Sequence, residues 1–475
     1  MKAAAIDLGS SFVKAALLDM DHGCVRELEK RTSPPRKEYQ DKLLFEVPAM
    51  DYVEIIRELL ERWSRQYPDL ECLLLSTQMH GFVYDPEGEG SCPAGDSRRS
   101  PVYISWQDMR CLHRRDQEDT YLSWLQKRFS RKDMEDCGVY IKPSLGMCNL
   151  VTLLEENPDL PGDGTLYTLG SYVISRLTGR NICHITNAAC WGLVDVRNGC
   201  WSARMVEAAG LAGITLPELA PADDTLCGIY RVNGCEIRVY PDYGDQQIAV
   251  LGSMAGDGDG LVNIATAAQV SRISRTFVPG NYEVRPYFEG KYLNTVSNMP
   301  SGRGLDVLVK FLLESTQLLD GRKMTIGDFW KTVEKQFVYD PKGLQVDMSF
   351  YATPDKLDGG EILGITQNNL DINTLFSAAF RNMADTYRKH LEGLPGEGAM
   401  EQVVCSGGVS WKRPELVAMI GTVMGKPCRR SPLDDEALAG LYRMALLCGG
   451  ICSSLEDRKD RILKDNRPQG PERLQ

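Results

Sequence analysis

Asp242 and Asp245 lie in PDYGDQQIAVLGS, residues 241 to 253, between a proline and a segment with the look of a helix. An aspartate there has two uses: it can cap the helix by accepting a backbone N–H, or it can take a proton from an attacking hydroxyl. A helix N-terminus favours the ionised carboxylate, so low basicity is expected of Asp245. Near the start of the chain, Asp7 precedes a turn of Gly9, Ser10 and Ser11, and Lys14 follows. Glycine and hydroxyl residues expose backbone N–H groups and side-chain donors, which suits phosphate oxygens; a carboxylate beside them can hold hydrated magnesium, and an ammonium adds positive charge. The same residues also make an ordinary hairpin turn. Trp106, Asp108 and Arg110 alternate along VYISWQDMRC, residues 102 to 111, and on a strand would share one face. An aromatic plane beside a carboxylate and a guanidinium suits a sugar, and an Asp-Arg ion pair on an exposed strand is the competing account. His80, in LLLSTQMHG, reads by itself as a buried structural histidine.

The elements that must position these residues are legible in outline. AAAIDLGSSFVKAALLDM is an apolar run, a small polar turn and a second apolar run, compatible with a hairpin or with strand-turn-helix. Residues 51 to 67 have apolar residues at three and four spacing after an Asp, predicting an amphipathic helix, and LECLLLST then reads as a buried strand. This βαβ-like succession implies an α/β layer domain with ligands at the carboxyl ends of its strands. Residues 85 to 100 read as a loop, a hairpin excursion, and PVYISW as a strand; helical patterns cover 112 to 131, 148 to 157 and 168 to 178. CEIRVYPDY opens a second strand-like set, DGDG at 257 to 260 is a tight turn, and LVNIATAAQVSRIS repeats the pattern of the opening lines, as if a second domain restated the first. The expected division is 1–243, 244–453 and a charged, frayed tail at 454–475.

Composition narrows the functional classes. The chain has 475 residues, 43% of them apolar, and a formal net charge of −11, which gives no broad electrostatic footprint for nucleic acid. No apolar run is long enough to cross a membrane and no secretory signal opens the chain, so a cytoplasmic protein is expected. The 15 cysteines lack CxxC pairs and fit reduced, packed thiols. Cys183, His184 and Cys190 come nearest to a metal set, and a structural role is preferred for them.

IDLGSS, LLLSTQMHG, VYISWQDMRC, YGDQQ, NIATAAQ and VCSGGVSWKRPELVAMIGTVMGKPC, in this order and separation, resemble the FGGY carbohydrate kinases of the actin-like ATPase superfamily over roughly residues 3 to 450. TQMHG paired with WQDMRC, with PYF, GKYL and NMPSGRGLDVL further on, is most similar to the sedoheptulokinase branch. The resemblance implies an α/β chain of two RNase H-like domains with the sugar in a deep interdomain cleft, an N-terminal sugar-binding domain and a C-terminal nucleotide-binding one. It implies Asp245, and not Asp242, as the base; Gln78, Met79, His80, Trp106, Asp108, Arg110, Asn187 and Gln246 at the sugar; and Asp7 at the magnesium ion. For ATP it implies Gly9, Ser10, Ser11, Lys14, Thr266, Gly302, Gly304, Gly407 and Gly408, although the glycines also suit tight turns. DDEALAGLYRMALL, 434 to 447, resembles the closing helix of the C-terminal domain, where Gly440 permits close packing. Two departures stand out: Ala265 replaces the usual glycine of the second phosphate turn, and Val409 follows two glycines where three are common. The implied activity is ATP- and magnesium-dependent phosphorylation of a ketose such as sedoheptulose; xylulose or another sugar, or a sugar- or nucleotide-sensing protein without turnover, are the alternatives. A dinucleotide-dependent oxidoreductase is disfavoured because no GxGxxG follows a strand.

Overall fold

The computed structural model describes residues 1–87, 101–321, 323–334, 337–357, 359–457 and 463–464. Most of the expected excursion at 85–100 and of the tail beyond 457 lies outside the described residues. The chain forms two compact units, Met1–Gly252 with Thr276–Tyr292 and Asp435–Gln475, and Ser253–Arg275 with Leu293–Asp434.

In the first unit, strands β1 (Lys2–Leu8), β2 (Phe12–Asp19) and β3 (Cys24–Thr32) form an antiparallel meander. The opening lines are therefore a hairpin, and its register sets Asp7 opposite Lys14. Strand Leu70–Thr77 lies parallel to β1 on its other side, and Cys235–Gly244 lies parallel to Leu70–Thr77. The helix between, Ala49–Gln66, starts two residues ahead of Asp51 and lays Tyr52, Val53, Ile56, Leu59, Leu60 and Trp63 on the sheet. Crossing from one parallel strand to the next requires such a connection, and its apolar stripe is what holds it there. Pro241 has no N–H to give the ladder, and the register of Cys235–Gly244 against Leu70–Thr77 shifts between Val239 and Asp242. A second core in this unit gathers Phe82, Ile104, Leu125, Met147, Leu150 and Trp191. The helical pattern at 112–131 breaks here into a short turn of 3₁₀ helix, Arg110–Leu112, and the helices Tyr121–Arg128 and Arg131–Cys137, capped by Thr120 and Ser130.

The segment expected to close the C-terminal domain closes the first unit instead. Helix Glu436–Cys448 packs on helix Asp245–Gly252, and a Cβ on Gly440 would stand 2.0 Å from the Ile248 carbonyl oxygen, so the two backbones meet with no room for a side chain. The described part of the expected tail is docked as well. Leu455 and Leu463 are buried, and the Lys464 N–H donates to the Gly23 carbonyl at 2.9 Å. Two apolar side chains outweigh the charged composition around them.

The second unit restates the plan of the first. Gly260–Ile264 and Ala268–Ser274 form an antiparallel hairpin next to Tyr292–Met299. Val403–Ser406 runs parallel to Gly260–Ile264, and Cys428–Arg430 parallel to Val403–Ser406. The echo in the sequence is thus an echo in topology: three meandering strands, then two parallel to the first.

Candidate active site

Asp7 stands at the carboxyl end of β1. Its Oδ1 accepts from Ser76 Oγ at 3.0 Å, and its pKa is raised to about 7. Burial is the main cause; Lys14 works against it, while Asp435 and Asp245 add like charge. Lys14 is held by Asp435 Oδ2 at 3.1 Å, and Asp435 also caps its helix by accepting from Leu438 N–H. Ser10 and Ser11 are exposed in the turn. Carboxylates therefore outnumber cations here, an electrostatic setting that suits a divalent cation. Among the described residues no group of three or more His, Cys, Asp or Glu could hold a metal. Asp7 fits a hydrated magnesium ion completed by waters and phosphates, and does not fit an all-protein cage.

Asp242 and Asp245 part company. Asp242 is fully buried and spends its carboxylate on the protein: Thr168 Oγ1 donates at 2.6 Å, the His184 N–H at 3.1 Å and Asn187 Nδ2 at 3.0 Å. Asn187 Nδ2 also reaches Thr77 Oγ1 at 3.0 Å, so Asn187 ties the ends of two parallel strands together. Asp245 is the first residue of its helix, directly after the strand, and its Oδ1 accepts from the adjacent Gln246 N–H at 2.8 Å. That is no N-cap, which would reach a donor two or three residues on. The low basicity expected from the helix terminus is also overturned. Burial raises the Asp245 pKa to about 6, more than the Gln246 N–H and the Arg285 guanidinium lower it.

His80 has a left-handed backbone, φ 69°. Its Nδ1 lies 3.0 Å from the Cys190 carbonyl, which can only accept, so the proton is on Nδ1 and Nε2 is left as an acceptor. Burial, then Lys142 and Arg285, depress its pKa to about 3, so the ring is neutral. The same neighbours form a group that the sequence reading missed. Lys142 and Arg285 both pair with Glu283, Arg285 Nε at 2.9 Å, and Arg285 also donates to Gln246 Oε1. Burial opposes the Glu283 charge, but Arg285 and Lys142 outweigh it and hold the carboxyl well below its usual range. The available signal was the alternation of Glu283 and Arg285 on a short strand, Glu283–Pro286, which sets both on one face. Lys142, distant in sequence, gave none. Gln78 and Met79 are buried, with Gln78 Nε2 donating to Tyr52 Oη at 3.4 Å.

The strand expected through Trp106, Asp108 and Arg110 stops at Ile104. Asp108 turns inward, accepting from the Phe45 N–H at 2.7 Å and from Arg110 Nε at 2.8 Å, and Arg110 also reaches Glu46 at 2.8 Å. The alternation was therefore not a shared face. The pair is a buried tie that pins a turn, and Trp106, 38% exposed, stands apart from it.

In the second unit the expected nucleotide residues gather at the ends of the parallel strands. Thr266 is in the hairpin turn, and its carbonyl accepts from the Arg303 N–H at 3.0 Å, while the Ala265 carbonyl accepts from Ser301 Oγ at 2.6 Å. The turn is thereby fixed to the start of helix Gly302–Asp320, which also carries Gly304. Gly407 has φ 82°, and a Cβ there would lie 2.6 Å from the Ile264 carbonyl oxygen, so glycine is required before the short helix Gly408–Lys412. The Ala265 carbonyl also accepts from the Gly302 N–H at 3.3 Å, so this residue is tied to the start of the helix twice.

A repeated meander-plus-parallel plan is that of the actin-like ATPases. The solved xylulose kinase of Rhodospirillum rubrum has this fold with a TM-score of 0.81, at 16% identity, over 100% of this chain and 95% of that one. The model of the FGGY family of carbohydrate kinases, N-terminal domain, matches residues 3–252, and the chain belongs to that family. It is similar to the sedoheptulokinase of Mus musculus, 26% identical over 346 residues, 65% of this chain and 68% of the relative. Glycerol kinase 2 of Saccharolobus solfataricus is 26% identical over 391 residues, 77% of this chain and 74% of that one. The protein is thus a sugar kinase, an enzyme that moves a phosphoryl group from ATP to an alcohol. Among the described residues no helix is long and apolar enough to cross a membrane.

Proposed function

We propose that the chain phosphorylates a hydroxyl of a ketose, with sedoheptulose the first candidate, and that Asp245 is the base. The observation that carries this is the state of Asp245: half-buried at the head of its helix, bonded to the adjacent Gln246 N–H and not to a donor two or three residues on, with its pKa raised by desolvation to about 6. It is mostly ionised at pH 7 yet is a stronger base than an ordinary aspartate. The sugar hydroxyl gives its proton to Asp245, its oxygen forms a bond to the γ-phosphorus, and the bond from that phosphorus to the β,γ-bridging oxygen breaks to release ADP. His80 Nε2 accepts from a second sugar hydroxyl, and Gln246, Gln78, Met79 and Trp106 shape the rest of the sugar site. Asn187 acts from behind by holding Asp242 and Thr77, and Asp108 with Arg110 braces the turn bearing Trp106. The turn at Gly9, Ser10 and Ser11, with Lys14, and the loops at Thr266, Gly302, Gly304, Gly407 and Gly408 hold ATP. Magnesium beside Asp7 would neutralise phosphate charge. The likeness to a sedoheptulokinase, and the TQMHG and WQDMRC pair, support a ketose over glycerol.

A phosphorylation screen across sedoheptulose, xylulose, ribulose, fructose, gluconate and glycerol tests the reading. One ketose should be preferred, and Asp245→Asn should cut kcat by roughly 10²-fold to 10⁴-fold with sugar affinity largely kept. Parent-like turnover by that variant would remove Asp245 from the role. Sugar binding without ADP formation would instead favour a sensor.

A further inference from the structure

Two cations around one buried carboxylate are a costly thing to build. Taking Lys142, Glu283 and Arg285 out of solvent loses hydration that their attraction only partly restores, and an apolar trio of similar size would hold the fold at least as well. The side chains of Glu283 and Arg285 are 8% and 7% exposed, whereas Lys142 keeps 28%. The cluster is also placed where the chemistry is. Lys142, Arg285 and Glu283 are the charges felt by His80, Arg285 is the cation felt by Asp245, and Arg285 grips the oxygen of Gln246. Arg285 sends Nε and Nη2 to Glu283 and Nη1 to Gln246, which uses three of the five N–H bonds a guanidinium owns. Lys142 gives one bond to Glu283, out of the three its ammonium can form.

We propose that Lys142 and Arg285, braced by Glu283, are specificity-determining residues of the sugar site. Their remaining N–H donors meet the oxygens of a neutral polyhydroxy chain on carbons beyond the one phosphorylated. This rests on the reading of Asp245 and His80 given above and extends it to the far end of the substrate. The two cations are matched by Glu283 and Asp245, so the cluster has no surplus charge to draw a carboxylate, and a neutral ketose is favoured over a sugar acid of equal length. Donors already fixed by Glu283 lose little freedom on binding, and an analogue too short to reach them leaves them unpaired, which is the strong form of discrimination.

The test uses the full chain, with Lys142→Met as the main variant because that side chain is the least buried of the three, and Arg285→Met beside it. Steady-state kinetics are run on neutral polyols and ketoses of increasing carbon number, on gluconate as the acidic probe, and against ATP. Calorimetric titration of the best ketose supplies a readout that needs no turnover, and thermal denaturation confirms folding. Expected is a rise of roughly tenfold or more in ketose KM and Kd, an ATP KM changed by less than about twofold, and a selective loss for the longer chains. Lys142→Arg should restore part of the ketose affinity. Equal losses for every chain length, or unchanged ketose affinity in a folded Lys142→Met, overturns the proposal and leaves the kinase reading standing. A parent that neither binds nor phosphorylates any of the sugars overturns both.

Discussion

At the scale of single residues, the site is built from carboxylates kept against their preference. Asp7 and Asp242 are buried and Asp245 half-buried, and their pKa values are raised to about 7, 6 and 6. A carboxyl with a raised folded pKa favours the folded state fully below its unfolded pKa, near 3.8, and loses that contribution as pH rises through the folded value. Asp7→Asn should therefore raise Tm at pH 8, by on the order of 5 °C, with the gain shrinking as pH falls from about 7 toward 4, while kinase activity drops. Ser76 Oγ can still donate to the amide oxygen, so the comparison isolates charge. Melting curves of parent and variant across that range check it, and equal Tm values at pH 8 would contradict the assigned electrostatics. The motifs made Asp7, His80 and Asp245 visible in the sequence. Burial, which decides how basic Asp245 is, has no local signature, and neither does Lys142 finding Glu283 some 140 residues away.

Helices and strands matter here through their ends. The parallel strands Leu70–Thr77 and Cys235–Gly244 deliver Gln78 to His80 and Asp245 to the same edge of one sheet, and Asn187 with Asp242 locks those ends together. Helix Asp245–Gly252 is itself fixed by backbone contact with Glu436–Cys448 at Gly440. A methyl group at 440 meets a carbonyl and not a side chain that can rotate away, so Gly440→Ala should cost about 3 kcal/mol or more, lowering Tm by roughly 5–10 °C. Scanning calorimetry measures this; a Tm within 1–2 °C of the parent (about the scatter of a surface substitution) would show that the helices can slide apart. Strong periodicity announced helix Ala49–Gln66 and the hairpin's two apolar runs. The end of the strand at Ile104 was not announced, because Trp106, Asp108 and Arg110 keep the alternation of a strand while Asp108 bonds back to Phe45 and Arg110.

Over the whole molecule, the order of segments along the chain differs from the order in which they pack. The expected division after residue 243 follows the sequence order, whereas the first compact unit recruits Thr276–Tyr292 and Asp435–Gln475 from beyond it. Nothing in a linear pattern marks that return, since an amphipathic helix does not name its partner. A chain ending at Asp434 lacks the helix that covers Asp245–Gly252, and buried Leu441, Tyr442, Met444 and Ala445 go with it. Such a chain should lose the cooperative unfolding of its first unit and amide protection along Asp245–Gly252, as hydrogen exchange would show. Supplying residues 435–464 as a separate peptide should restore part of both. Full protection without the peptide would mean the helix is dispensable.

The late arrival of Glu436–Cys448 has a consequence for biosynthesis. During translation, the segment bearing Asp245 leaves the ribosome roughly 180 residues before its covering helix, a wait on the order of ten to forty seconds at ordinary elongation rates. Through that interval the nascent chain shows an unclothed apolar seam, so its yield in cells should depend on a chaperone that can shield it until release.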